Sequence, residues 1–357
     1  MGRLYASLPF YPKSIPLNYL ILEHPGHNRV YYQASSRLNR SEFNAALGNF
    51  SLEPKEVKTL DLKGLRYLSF AMDEPLSDKD LQLISQLSFA FGLFEAQNSK
   101  LSPIALKTNA FIDPKISTLL KYTGKTNERF TRLMINVALH TSDFFDLENL
   151  RLLDPIAGKG TTLFEAAVLG LNGIGIERDP KSLHEGLVFF KKYLEQERYK
   201  HLLEKKRVSG KTKSEAIFLS EFQYASDKAQ FKTEALRRSL GFICGNTENT
   251  AEYLKSNSVH LMVGDLPYGI QHGSRSGKFK QSRSVSNLIE GAADAWYSVL
   301  KKGGCLVLAY NEKMDKKTDL LTLLQNVGFK VTPENEAIDF SHKVDHSILR
   351  DLLVLKK

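Results

Sequence analysis

The sequence predicts an α/β protein: a Rossmann-like, doubly wound sheet over residues 106–357, preceded by a small α+β domain over residues 1–105. Two stretches carry the prediction. From Leu150 to Asp179 the chain reads as apolar strand, glycine turn, helix, second strand and acid, the opening half of a nucleotide-binding sheet. Further along, the apolar strand Val259–Val263 runs into Gly264-Asp265-Leu266-Pro267-Tyr268-Gly269, an acid, a proline and an aromatic placed at a strand's carboxyl end.

The N-terminal region comes first in order. Tyr19–Glu23 and Arg29–Gln33 read as strands joined by a turn over His24–Asn28. Ser77 with Asp80 resembles a helix start, and Leu81, Ile84, Leu87 and Phe91 share one face of the helix expected to follow. The aromatics Phe10, Tyr11, Tyr31 and Tyr32 suit either a small core or stacking on RNA bases. No activity of its own is legible here.

The polar turn Lys121–Asn127 leads into an amphipathic helix, Glu128 to Leu139, with Phe130, Leu133, Met134 and Val137 on one face. Leu150–Leu153 is then the first strand of the sheet. In the turn after it, Gly158 and Gly160 allow a ligand to approach the backbone closely, while Thr161 and Thr162 open a helix that Gly170 ends. Gly173–Ile176 is the second strand and ends on Glu177 and Arg178.

These residues select among nucleotides. A dinucleotide site carries a third glycine where this chain has Leu163. Asp154 at the end of the first strand would repel a pyrophosphate and suits a ligand with a cationic end. Glu177 stands where an acid accepts ribose hydroxyls. A ribose with a positive centre and no pyrophosphate describes S-adenosylmethionine, with Asp154, Ala157, Gly158, Gly160, Thr161, Thr162, Glu177 and Arg178 as its expected contacts. Nicotinamide, flavin and a plain βαβ unit are the alternatives.

Asp179-Pro180 starts another helix, which runs into a basic insertion at about residues 191–238, expected as either a solvated helical pair or an RNA-facing arm. Phe242–Gly245 is the next strand. Asn246 and Thr247 come after it, where an acid commonly accepts an adenine amino group, so both are expected at the cofactor. Beyond Tyr268, the loop Gln271–Ser284 carries Arg275, Lys278, Lys280 and Arg283, placed to grip phosphates. Leu288–Leu300 reads as a helix, Cys305–Ala309 as a strand, Leu320–Val327 as a helix and Leu352–Leu355 as the last strand.

The reactive motif explains itself chemically. The lone pair of an aromatic amino nitrogen is delocalised into its ring, which makes it a poor nucleophile. Asp265 would accept one N–H and a carbonyl of Leu266 or Pro267 the other, holding the nitrogen in line with a methyl donor. Tyr268 would stack on a base swung out of its helix. Asp265, Pro267 and Tyr268 are the expected catalytic set.

Composition sets the bounds. At 357 residues there is room for two domains, and 42% hydrophobic content suits globular protein. The formal charge of +9 favours a polyanionic partner. Two cysteines, Cys244 and Cys305, fall in expected strands and suit a reduced, cytoplasmic setting. The sequence shows neither a membrane-length apolar run nor a signal-peptide pattern. No histidine spacing argues for a metal.

From about Lys121 to Lys357 the chain resembles the RNA methylase domain of the THUMP-type tRNA guanosine-N2 methyltransferases, which are class I methyltransferases. The resemblance rests on Tyr122-Thr123-Gly124, on Asp154 through Thr162, and on Asp265-Leu266-Pro267-Tyr268-Gly269. It implies S-adenosylmethionine as cofactor, methyl transfer to a base amino group in RNA, expected to be guanosine N2 of tRNA, and Thr123, Lys125 and Thr126 in the turn as candidate contacts with the cofactor carboxylate. Asn246 departs from the family's usual acid, and residues 1–105 are short for its N-terminal domains. A DNA adenine-N6 methyltransferase and a catalytically silent RNA-binding protein are the competing readings.

Overall fold

A computed structural model of the chain describes residues 16–25, 29–107, 110–145, 148–210, 212, 215–267, 285–332 and 338–357. The N-terminal elements are β1 (Leu17–Glu23), α1 (Arg29–Ala46), β2 (Lys55–Leu62), β3 (Leu65–Met72), α2 (Asp78–Gln86), β4 (Ala90–Gln97) and β5 (Lys100–Ile104). They make a five-stranded antiparallel sheet in the order β2-β3-β1-β4-β5. Ile21, Phe43, Phe70, Leu83 and Ile84 form the core between sheet and helices.

Two expectations fail in this region. Residues 29–33 are not a strand but the first turns of α1. The strand chemistry of this aromatic and β-branched run is outweighed by packing further along the helix, where Ser35, Leu38, Asn39, Glu42 and Ala46 are buried at helical spacing. Phe91 is not on α2, which stops at Gln86. It lies in β4, is 55% exposed, and its neighbour Gly92 pairs with Leu22 of β1. The helix start at Ser77 agrees with expectation: Ser77 and Asp80 form a capping box. Phe10 and Tyr11 lie outside the described residues.

The second sheet is built from α3 (Ile116–Leu119), α4 (Glu128–Thr141), β6 (Arg151–Asp154), α5 (Thr161–Val168), β7 (Asn172–Glu177), α6 (Pro180–Gln196), β8 (His201–Ser209), β9 (Ile217–Tyr224), α7 (Lys228–Lys232), β10 (Arg238–Cys244), α8 (Thr250–Tyr253), β11 (Val259–Asp265), α9 (Val285–Val299), β12 (Leu300–Asn311), α10 (Lys317–Val327), β13 (Lys330–Val331), β14 (His342–Lys343) and β15 (Leu349–Lys356). Its strands run β13-β15-β12-β11-β6-β7-β10-β9-β8, with β14 paired to β15. β12, β11, β6, β7 and β10 are mutually parallel, and β15 enters antiparallel between β12 and β13. This is the Rossmann-like class I arrangement. Strand order reverses between β6 and β11, so the carboxyl ends bearing Asp154 and Asp265 lie side by side, where doubly wound sheets bind ligands.

The basic insertion is not a helical pair. Helix α6 continues to Gln196, and β8 and β9 then form an antiparallel hairpin that extends the sheet beyond β10. Leu219, Phe222 and Tyr224 of β9 are buried, so the hairpin covers what would be an open sheet edge. Several of its charges are satisfied internally: Lys206 pairs with Glu204 and Glu221, and Lys205 lies 4.6 Å from the Phe218 ring centroid.

Helix α4 joins the two sheets. Asn127 caps it, accepting from the Arg129 and Phe130 amides, and Leu133, Met134 and Val137 pack in one cluster with Leu38 of α1 and Val263 of β11. The fully buried Glu42 of α1 accepts from Asn136 Nδ2 of α4 (2.7 Å) and from the Ser88 amide (2.8 Å). Both cysteines are free, and burial pushes the Cys305 thiol up to about 12. Among the described residues, no helix is long and apolar enough to cross a membrane.

A tight contact fixes the glycine turn after β6. A Cβ on Gly186 of α6 would stand 2.4 Å from the Lys159 carbonyl oxygen. Gly186→Ala should therefore cost about 1–3 kcal/mol through overpacking and lower the melting midpoint by a few degrees. Gly48→Ala, whose Cβ would meet nothing within 4 Å, is the control and should be near neutral. Equal midpoints for the two variants in a thermal melt would refute the contact.

Candidate active site at the sheet's switch point

The first side of the site is the turn between β6 and α5. Ala157 N–H donates to the Ile176 carbonyl, Gly158 N–H to Glu177 Oε2 at 2.8 Å, and Gly160 N–H to the Ala157 carbonyl. Gly160 opens α5 with φ +96°, which glycine adopts without strain. Gly158 has φ +53°, and a side chain there would meet nothing within 4 Å, so its bare backbone faces open space.

That space is a cavity of about 590 Å³. Of the expected cofactor residues, Asp154, Ala157, Gly158, Thr161 and Thr162 line it, and Asp265 and Pro267 of the second motif line it too. The two motifs therefore meet in one place. Gly160, Glu177, Arg178, Asn246, Thr247 and Thr123 are not among the lining residues. Glu177 is half-buried and fastens the turn, since its other oxygen accepts from the Asp179 amide at 2.7 Å. Each carboxylate oxygen has a further lone pair for a ligand hydroxyl. Arg178 is exposed. Asn246 caps a short turn through the Glu248 amide, and the buried Thr247 accepts from Trp296 Nε1 at 2.9 Å. Thr123 is exposed, whereas Lys125 and Thr126, expected with it, line the cavity together with Tyr122 and Gly124. Tyr268, Arg275, Lys278, Lys280 and Arg283 lie outside the described residues.

The polar turn before α4 reaches across the site. The Tyr122 hydroxyl is 3.0 Å from Thr161 Oγ1, and Lys159 Nζ lies 4.8 Å from the Tyr122 ring centroid. Thr126 donates to Asp265 Oδ2. The far wall comes from the C-terminal hairpin: Val344, Asp345, Ile348 and Arg350. Sequence reasoning missed this wall. Its one signal was an arginine and an aspartate within the apolar strand Leu349–Lys356.

Asp154 sets the electrostatics. Burial pushes its carboxyl up from 3.8 to about 7, against hydrogen bonds from Thr162 and the Ile156 amide, and the charges of Glu177 and Asp265 raise it further. Among the described residues no ion pair compensates it. A buried acid beside a bare glycine backbone fits a ligand bringing its own positive charge, as the ammonium and sulfonium of S-adenosylmethionine would. Among the described residues, no group of three His, Cys, Asp or Glu is placed to hold a metal.

Residues 146–336 match the UPF0020 family, described as RMKL-like, methyltransferase domain. No curated protein matches the chain. Among solved structures, the rRNA methyltransferase aviRa from Streptomyces viridochromogenes aligns at 14% identity with a TM-score of 0.39, covering 67% of this chain and 89% of that one. TrmN from Thermus thermophilus aligns at 14% identity and TM-score 0.38, over 84% of this chain and 59% of its own. A TehB-like SAM-dependent methyltransferase from Corynebacterium glutamicum aligns at 14% identity and TM-score 0.34, over 60% of this chain and 83% of its own.

Asp154 gives the ligand-free fold a pH signature. A carboxyl raised on folding is neutral in both states at low pH and costs nothing there. Its cost grows from its unfolded value, near 4, and is complete above about 7. Asp154→Asn should remove that cost, on the order of 4 kcal/mol for the shift. The variant's gain in melting temperature over wild type should be small at pH 5 and larger at pH 8. A gain that does not change between the two would contradict the buried, uncompensated carboxyl.

Proposed function

The chain belongs to the UPF0020 family of RMKL-like methyltransferase domains, and on that footing we propose that it is an S-adenosylmethionine-dependent RNA methyltransferase acting on the exocyclic amino group of a base, guanosine N2 of tRNA being the reading its motif favours. The observation that supports this most directly is the shared cavity: the Asp154–Thr162 turn and Asp265-Leu266-Pro267 line the same space.

S-adenosylmethionine supplies an electrophilic methyl group carried on a sulfonium. The protein's part is to hold the two reactants in line. Asp154 and the bare backbone at Gly158 receive the cationic end of the donor, and Glu177 its ribose, while also holding the turn in shape through the Gly158 and Asp179 amides. Asp265 accepts an N–H of the target amino group and Pro267 closes the motif, so that the nitrogen lone pair turns from the ring toward the methyl. Tyr268 stacks on the everted base. Forming the N–C bond would break the methyl–sulfur bond and leave S-adenosylhomocysteine, and the nitrogen, then positively charged, would give up its proton to water. Arg275, Lys278, Lys280 and Arg283 grip the RNA backbone, which matches the net charge of +9. On this reading residues 1–105 are a small α+β domain open to a role in RNA binding, and the setting is the cytoplasm.

Asp265→Ala should lower kcat by roughly a hundredfold or more, since it removes a contact made most strongly in the transition state, and should leave RNA and cofactor affinity little changed. Asp265→Asn should retain part of the activity through its carbonyl. Transfer of labelled methyl to RNA, followed by nucleoside mass spectrometry, measures both the rate and the product. Full activity in Asp265→Ala would sink the mechanism, and a product other than N2-methylguanosine would move the substrate. Glu177→Ala should weaken cofactor binding by about 1–3 kcal/mol in calorimetry, because the ribose acceptor and the turn's fastening go together.

A further inference from the structure

Among the described residues, the wall of the site holds a buried cation that methyl transfer as derived so far leaves without a role. Arg350 lies on β15, opposite Asn311 of β12 and His342 of β14. Its side chain is 7% exposed and its Nη2 stands 3.7 Å from Asp265 Oδ2. Its guanidinium carbon sits 4.9 Å from the Phe130 ring centroid of α4. Thr126, four residues before Phe130, donates to the same Asp265 oxygen.

We propose that Arg350 is a positioning residue: with Thr126 it locks the carboxylate of Asp265 in the orientation that receives the target amino group. Asp265 ends β11 at the rim of the cavity, where a carboxylate held by a single contact would rotate about its Cβ–Cγ bond. The Thr126 hydroxyl and the Arg350 guanidinium, brought from segments distant in sequence, converge on the same Oδ2, so rotation works against both. The Phe130 ring beneath the guanidinium gives it a cation–π contact, and the pairing of β15 with β12 fixes its backbone. Arg350 also places a cation beside Asp265 in a cavity that already holds a second acid, Asp154. The C-terminal hairpin is thereby part of the catalytic apparatus and not only the last strand of the sheet. The inference rests on the proposed role of Asp265 and adds a claim that fails separately.

The test uses the full chain and its Arg350→Gln, Arg350→Lys and Thr126→Val variants, each also combined with Asp265→Asn. Arg350→Gln should lower kcat by about a hundredfold through misplacement of the acceptor, with KM for RNA and affinity for S-adenosylhomocysteine close to wild type. Arg350→Lys should recover part of the loss by restoring the charge. In the Asp265→Asn background, Arg350→Gln should cost far less, because no carboxylate remains to be held. Wild-type kcat in Arg350→Gln, or an equal loss in both backgrounds, overturns the proposal while leaving the methyltransferase reading intact. Absence of methyl transfer by the wild-type protein overturns both. Should Arg350→Gln fail to fold, the lysine and valine variants decide: wild-type kcat in both overturns the proposal, and a kcat loss with unchanged KM supports it.

Discussion

The absence of side chains beneath the β6–α5 turn is the constraint on which the rest of the site depends. A Cβ on Gly175 would come within 2.7 Å of both Ala157 Cβ and Leu163 Cδ1, and one on Gly186 within 2.4 Å of the Lys159 carbonyl oxygen. Because neither is there, the turn lies flat on β7 and under α6. Glu177 at the end of β7 can then reach the Gly158 amide, and α5 can start immediately at Thr161. Protein interiors have little slack, so a turn raised by one methyl group would carry Asp154 and Thr161 out of register with Asp265.

Two stretches far apart in sequence close on the cavity beside this turn. The segment before α4 brings Tyr122 to Thr161 and Thr126 to Asp265, while β15 brings Arg350 to Asp265. The two acids of the cavity end in different surroundings. Asp154 is enclosed, with its carboxyl pushed toward neutrality and no cation paired to it among the described residues. Asp265 is partly open and has a guanidinium beside it. Pairs of acids whose environments differ in this way take different roles. The uncompensated one suits a cationic ligand, and the one beside a guanidinium suits a hydrogen-bond acceptor.

Much of this was legible in the sequence, for reasons that are local. The glycine turn, the Pro180 start of α6, the Ser77 capping box and the buried parallel strands all derive from chain chemistry within a few residues. The failures were non-local. The run at Val30–Tyr32 has strand chemistry, and packing further along α1 makes it a helix. The charged stretch after α6 became a hairpin because a sheet edge at β10 needed covering. Arg350 could not be assigned because its partners, Asp265 and Phe130, are distant in sequence and nothing near Leu349–Lys356 names them. Buried charge in an apolar strand was the trace it left.

Helix α4 ties the N-terminal sheet to this chemistry. At its start stand Asn127, the cap, and Thr126, which holds Asp265. Two turns further on, Asn136 holds the buried Glu42 of α1, whose carboxyl burial pushes above its ordinary value. An unpaired carboxyl in that position would be costly, and the bonds from Asn136 and Ser88 are what make it tolerable. Such a contact is all or none: the small sheet seats on α4 with Glu42 satisfied, or pulls away and leaves a buried polar group without its partners. Fourteen residues of helix span about 20 Å and bend little. Through α4 the small sheet is therefore held at a set distance from Asp265.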